Sequence, residues 1–395
     1  MDAPNAPPGP LAGLKVIELG QLIAGPFAGK TLADFGADVI KVEPPGDGDP
    51  LRKWRMLHNG TSVWWQVQSR NKRSVVLDLR TDEGRADVRR LAAEADVLIE
   101  NFKPGTLEKW GLGYDALAAD NPGLIMLRIS GYGQSGPYRD LPGFAVVAEA
   151  MGGLRHLMGE PGRPPVRAGV SLGDTLAALH GVIGVLLALQ ARQQSVSPLA
   201  PKGRGQVIDV ALYEAVFNCM ESLLPEYSAF GAVRQPAGSA LPGIAPSNAY
   251  RCADGQVVIG GNGDSIFKRL MQAIGRDDLG QDPGLADNSR RAARADELDA
   301  AITAWTVQRP VDEVVRVLQA VSVPAGRIYT VADIAADPHY RARQMIERIT
   351  TQDGLALEVP GICPKLSATP GAIRTLAPAL GEHTAEVLGR PAPSA

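Results

Sequence analysis

Six short runs rich in β-branched residues limit what this chain can fold into: LKVIEL (14–19), ADVIKVE (37–43), SVVLDLR (74–80), DVLIEN (96–101), LIMLRIS (124–130) and QVIDVAL (206–212). Each has the length of a buried strand, and helical patterns lie between them. Pro26 suits the first turn of a helix through FAGKTLADF that stops at Gly36. A second helix spans Thr81 to about Ala95. Strands that alternate with helices form parallel βαβ units, so this half is predicted to be a doubly wound, Rossmann-like sheet. Ligands of such sheets gather at the carboxyl ends of the strands. The loop after the first strand, GQLIAGPFAG, is not a GxGxxG fingerprint, and no acid follows at the ribose position.

The stretch VSLGDTLAALHGVIGVLLALQAR (170–192) reads as one long apolar helix, and its only carboxylate, Asp174, stands at the start. As a helix cap, Asp174 would accept hydrogen bonds from exposed N–H groups and gain from the helix dipole. As a nucleophile it would stay ionised at the same place, with Gly173 leaving room for an acyl group. After a Ser/Pro/Gly loop (193–206) and a helix from about Tyr213, residues 227–247 are too rich in Gly and Pro for regular structure. A hairpin turning at Asp254-Gly255 follows, then a helix with Asp264 as its cap. The predicted layout is a flexible tail (1–11), the N-terminal part of the large domain (12–226) and a linker (227–247). A smaller α+β domain (248–325) and a segment returning to the large domain (326–395) complete it.

The 395 residues suffice for two domains. A net charge of −3 without a basic block suggests neither a nucleic-acid partner nor an anionic membrane. Asp174, His180, Gln190 and two glycines interrupt the long apolar run, which argues against a bilayer span. The N-terminus lacks the pattern of a signal peptide, and Cys219, Cys252 and Cys363 are scattered. Both fit reduced thiols of a cytoplasmic protein. The five histidines show no metal-ligand spacing, so no metal is expected.

Several segments, in order, resemble the class III CoA-transferases, the family of the formyl-CoA:oxalate and carnitine CoA-transferases. They are GLKVIELGQLIAGPFAGKTLADFGADVIKVEPPGDGDPLR, NKRSVVLDLRT, ADVLIENFKPGTLEKWGLGY, ISGYGQSGPY, GVSLGDTLAALHGVIGVLLAL, GRGQVIDVALYEAV and the later blocks LPGIAPSNAYRCADGQVVIGG, VPAGRIYTVADIAADPH and LGEHTAEVL. The likeness spans about residues 12–390. It implies a Rossmann-like large domain with a smaller one, in an interlocked homodimer. It also implies CoA thioesters and carboxylic acids as substrates, with no tightly bound cofactor. Asp174 falls on the family's nucleophile. CoA contacts carry over to Ile23, Ala24, Leu77, Arg80, Asn101, Phe102, Lys103 and Lys109. Arg80, Lys103 and Lys109 would meet phosphates, and Phe102 would lie against adenine or the pantetheine arm.

The chain departs from the family at Pro44-Pro45, where some members carry a basic residue, and at Phe144-Ala145, where many carry a Tyr-acid pair. The later blocks are most similar to members that use succinyl-CoA with dicarboxylic acids such as malate, citramalate or glutarate. A distal carboxylate would need a cation, and Arg52, Arg55, Arg70 and Arg167 are the candidates. Acetyl- or formyl-CoA:oxalate transfer is an alternative. So is α-methylacyl-CoA racemisation, although Phe144 stands where that reaction has a histidine. A binding protein without turnover is a third reading, which an intact Asp174 opposes.

Overall fold

The computed structural model describes residues 8–198 and 200–390. Six parallel strands form the central sheet: β1 (Lys15–Glu18), β2 (Asp38–Glu43), β3 (Lys72–Val76), β4 (Val97–Glu100), β5 (Ile125–Ser130) and β6 (Val207–Ala211). Their order is β3-β2-β1-β4-β5-β6 and every pairing is parallel. This is the doubly wound order, which reverses direction between β1 and β4. All six strands were legible as apolar runs, because a parallel sheet covered on both faces needs apolar side chains on each side.

Alternation along the strands sorts those side chains into two cores. Val16, Val39, Val97, Leu127 and Val210 face one layer, built from α1 (Ala24–Asp34), α3 (Ala145–Met151), α4 (Leu172–Gln194) and α5 (Leu212–Phe217). Ile17, Ile40, Val75, Leu98 and Met126 face the other, which contains α2 (Asp82–Glu94). Thr81 caps α2 by accepting the Gly84 N–H at 3.1 Å, and Asp82 and Glu83 in the first turn favour the positive end of the dipole.

Helix α4 is long and apolar enough, by length and composition, to cross a membrane. In this fold it lies along the sheet. A Cβ on Gly181 would come 2.8 Å from Leu127 Cδ2, so the absent side chain sets the closeness of helix to strand. His180 does not enter a site: Nδ1 contacts the Leu176 carbonyl at 2.8 Å and Nε2 contacts the Asn218 amide at 3.0 Å.

By internal packing the chain divides into two units. The first contains Met1–Leu154, Ala168–Glu221 and His339–Ala395, and the second contains Arg155–Arg167 and Ser222–Pro338. Leu11, assigned to the tail from sequence, donates its N–H to Phe35 O at 3.1 Å; residues 1–7 lie outside the described residues. The Gly/Pro-rich stretch begins inside a helix, Leu223–Phe230. The second unit carries a three-stranded antiparallel sheet of Ser247–Arg251, Gln256–Gly260 and Ala325–Arg327. Asp264 is the first residue of its helix, not the cap; Gly263 holds that position.

Leu127 is fully buried between β5 and α4. Replacing it by Ala is expected to lower unfolding stability by about 2–5 kcal/mol, read from the urea midpoint with an unchanged slope.

Candidate active site

A cavity of about 180 Å3 opens at the carboxyl ends of the central strands. The segment Gln21–Ala24 enters it after β1, and Asn101 and Phe102 enter after β4. These two loops flank the point where the strand order reverses, the place at which doubly wound sheets hold ligands. Ser130 and Gly131, at the end of β5, and Leu212, just past β6, form the floor. Trp54 and Phe144 stand at the wall, and Phe144 is 67% exposed. Gly131 and Gly143 cross so closely here that a Cβ on Gly131 would lie 2.7 Å from Gly143 Cα.

Asp174 lines the same cavity. It is the third residue of α4, in the first turn, and the N-cap is Ser171, which makes no side-chain cap bond. The capping role considered from sequence is therefore not how Asp174 is placed. The 23-residue helix still turns its positive end toward this carboxylate. Gly173 also serves packing: a Cβ there would meet Ala145 Cβ at 3.3 Å. The Gly173 N–H points to the buried Glu149 carboxylate, at 3.4 Å.

The loop after β1 is held by side chains from four other segments of the chain. Asn101 accepts the Gln21 N–H at 2.8 Å and donates to Gln21 O at 2.9 Å. Asp49 accepts the Leu22 N–H at 3.1 Å, Gln68 donates to Ile23 O at 3.0 Å, and Lys72 donates to Pro26 O at 2.8 Å. The second loop is held likewise: Glu100 accepts the Phe102 N–H at 2.7 Å and pairs with Arg128 at 2.7 Å. Burial pushes the Glu100 carboxyl above its ordinary value despite Arg128 and that N–H.

Four fully buried charges lie behind the first loop. Lys41 pairs with Asp49 at 2.7 Å and Glu18 at 3.2 Å, and Glu18 pairs with Lys72 at 2.8 Å. Lys41 also donates to Gly20 O. Burial would lower the Lys41 pKa, but Asp49, Glu18 and Glu43 outweigh it and raise it. Burial would raise Asp49, yet Lys41 and the N–H groups of Leu51 and Leu22 hold it below its ordinary value.

The sequence candidates divide. Ile23, Ala24, Asn101, Phe102 and Asp174 meet at the cavity. Leu77 is 1% exposed and sits in the second core, so its side chain is a packing element. Arg80 lies outside the cavity, its side chain 78% exposed and held by Asp78 at 2.8 Å. Lys103 and Lys109 are exposed near the second loop. Arg52 is taken by Glu43 at 2.7 Å and Arg70 by Asp34 at 2.8 Å, which removes both as carriers of a substrate carboxylate. Arg55 is exposed and stacks 5.2 Å over the Trp64 ring, and Arg167 belongs to the second unit. Sequence reading missed Gln21, Trp54 and the buried cluster; GDGDP gave no sign that Asp49 is wholly enclosed. Among the described residues, no group of three or more His, Cys, Asp or Glu is placed to hold a metal ion.

A carboxylate with a lowered folded pKa stabilises the fold above its unfolded value and loses that contribution as the pH falls through the folded one. The thermal stability of this protein is therefore expected to fall below about pH 4, as Asp49 takes up its proton and unfolding becomes easier. The variant Asp49→Asn should show a smaller fall over that interval.

The profile of CoA-transferase family III matches residues 11–384. Over 383 residues the chain is 50% identical to the succinyl-CoA–D-citramalate CoA-transferase of Chloroflexus aurantiacus, covering 96% of this chain and 94% of the relative. It is 45% identical to the succinyl-CoA–L-malate CoA-transferase beta subunit of the same organism, covering 96% and 93%. The crystal structure of a CAIB/BAIF family protein from Brucella suis superposes with a TM-score of 0.83 at 39% identity, covering 97% of this chain and 99% of the other. With the family pattern running nearly end to end and half the residues shared with one member, the chain belongs to CoA-transferase family III.

Proposed function

We propose that this enzyme moves CoA from succinyl-CoA to a dicarboxylic acid such as citramalate or malate, with Asp174 as the nucleophile. The observation that carries the reading is the Asp174 carboxylate at the start of α4, in a cavity at the strand-order reversal. The printed activities of the relatives supply the substrate class. Phe144 at the cavity wall offers no second base, which favours acyl transfer over racemisation.

The Asp174 carboxylate attacks the thioester carbonyl of the donor, and CoA leaves as thiolate, giving an aspartyl–succinyl anhydride. The thiolate then attacks the aspartyl carbonyl, forming an enzyme–CoA thioester and releasing succinate. The acceptor carboxylate attacks this thioester to form a second anhydride. The returning thiolate takes the acceptor as its CoA ester and frees Asp174. One thioester is consumed and one is made, so the exchange needs no ATP. Each attack places negative charge on a former carbonyl oxygen. Ala24 and Gly25, the first residues of α1, have N–H groups with no acceptor within the helix, and these suit that charge. Ile23 and Ala24 would line the thiol end of CoA, with Asn101 and Phe102 along the arm. Lys103, Lys109 and Arg80, exposed outside the cavity, would meet its phosphates. The Leu77 contact would be made by backbone.

The working assembly is a homodimer in the cytoplasm. One face of α4 exposes Leu179, Ile183, Leu186 and Leu187, with Ile183 at 54% and Leu187 at 66%. Residues at this spacing form a continuous apolar stripe, which a second copy would cover.

Incubating the wild type with succinyl-CoA and trapping with hydroxylamine or borohydride should label the peptide containing Asp174. The variant Asp174→Ala should keep its fold by circular dichroism and lose at least about 10⁴-fold in transfer rate. Wild-type turnover by that variant would overturn the mechanism. For the assembly, Ile183→Asp with Leu187→Asp is expected to halve the mass read by light scattering.

A further inference from the structure

We infer that Asp49 is a positioning residue for this reaction: it ties together two walls of the active-site cavity and holds Leu22 in the left-handed backbone region. The inference rests on the reading of Asp174 as the nucleophile, but not on the identity of the acids.

Leu22 has φ +64°, a conformation a leucine rarely adopts. It lies between Gln21 and Ile23, both of which line the cavity with Asp174. Strained backbone of this kind persists only where its surroundings hold it, and it is concentrated at functional sites. Here the holding group is Asp49, whose Oδ1 accepts the Leu22 N–H at 3.1 Å. The same oxygen accepts the Leu51 N–H at 2.9 Å and so starts the 3-10 turn Pro50–Lys53. That turn ends at Trp54, whose N–H reaches Leu51 O at 3.1 Å and whose ring forms another part of the cavity wall. One buried carboxylate thus fixes both the loop after β1 and the segment that carries Trp54.

The charges behind it explain why a carboxylate is used. Asp49 is fully buried, and its charge is matched by Lys41 at 2.7 Å, which also holds the Gly20 carbonyl. Glu18 and Lys72 complete a balanced set of two cations and two anions. Burying four charges is costly and gives little net stability compared with apolar side chains of the same volume. What the set does give is a fixed path for residues 20–26, since Gly20 O, Leu22 N and Pro26 O are each held by one of its members. An anhydride and a thioester must form at one carboxylate in turn, and small displacements of the loop opposite it would slow both steps.

The test replaces the matched pair together, Asp49→Leu with Lys41→Met. Glu18 and Lys72 remain balanced, so the fold is expected to persist, checked by thermal unfolding and near-UV circular dichroism. Free CoA should bind with a dissociation constant within about threefold of wild type, while the rate of Asp174 labelling by succinyl-CoA falls by about 100-fold. Adding Leu22→Gly, which tolerates the left-handed region, should recover about fivefold of that rate. A folded double variant that labels at the wild-type rate, or a loss that Leu22→Gly leaves untouched, would overturn the inference. If the double variant does not fold, Leu22→Val decides it with the cluster intact. A β-branched residue resists positive φ, so labelling should fall by about tenfold, and labelling at the wild-type rate would be fatal. Labelling of the wild type is read first: its absence would count against Asp174 and not against Asp49.

Discussion

The structure depends on a sheet that is apolar on both faces. Val16 and Ile17, adjacent in β1, point into different cores, and so do Leu98 and Ile99 in β4. Such a sheet offers substrate no access across its faces, which leaves the strand ends. At the carboxyl ends the chain must turn, and its N–H and C=O groups leave the ladder while still buried. Unpaired groups there would each cost about 1–3 kcal/mol. The loops after β1 and β4 avoid this through side chains: Asn101 on Gln21, Asp49 on Leu22, Gln68 on Ile23 and Glu100 on Phe102.

The same arrangement accounts for the chemistry. The covalent transfer proposed for Asp174 asks for a nucleophile fixed in place and a rigid surface opposite it. Asp174 meets the first requirement because it rises from the first turn of a long helix pressed onto β5 and β6 by glycines: a Cβ on Gly184 would lie 2.7 Å from Ile208. The loop after β1 meets the second because its backbone has few hydrogen-bonding groups left to exchange. Helix α4 therefore has two faces, one of glycine and alanine on the sheet and one of leucine and isoleucine directed outward.

Some of the sequence expectations went wrong for a common reason. Asp264 was read as a cap, and a capping role was weighed for Asp174 beside the nucleophile, because aspartate favours that position; the N-caps are Gly263 and Ser171. Gly173 was read as space for an acyl group, and the structure shows that it also makes space for Ala145. Arg52 and Arg70 were read as candidates to bind a distal substrate carboxylate and proved to be buried partners of Glu43 and Asp34. In every case the residue type was correct for more than one environment, and only contacts distant in sequence select among them.

By itself the sequence indicated the six parallel strands, the long helix and Asp174 as the proposed nucleophile. Periodicity and β-branching are local properties, and the ordered blocks around Asp174 carry the family. Tertiary structure alone decided which charges are enclosed. Lys41, Asp49, Glu18 and Lys72 come from four separate segments, and nothing local marks them as buried. Their enclosure follows from strands β1, β2 and β3 lying side by side, which brings Glu18, Lys41 and Lys72 together beneath a loop that none of those strands contains.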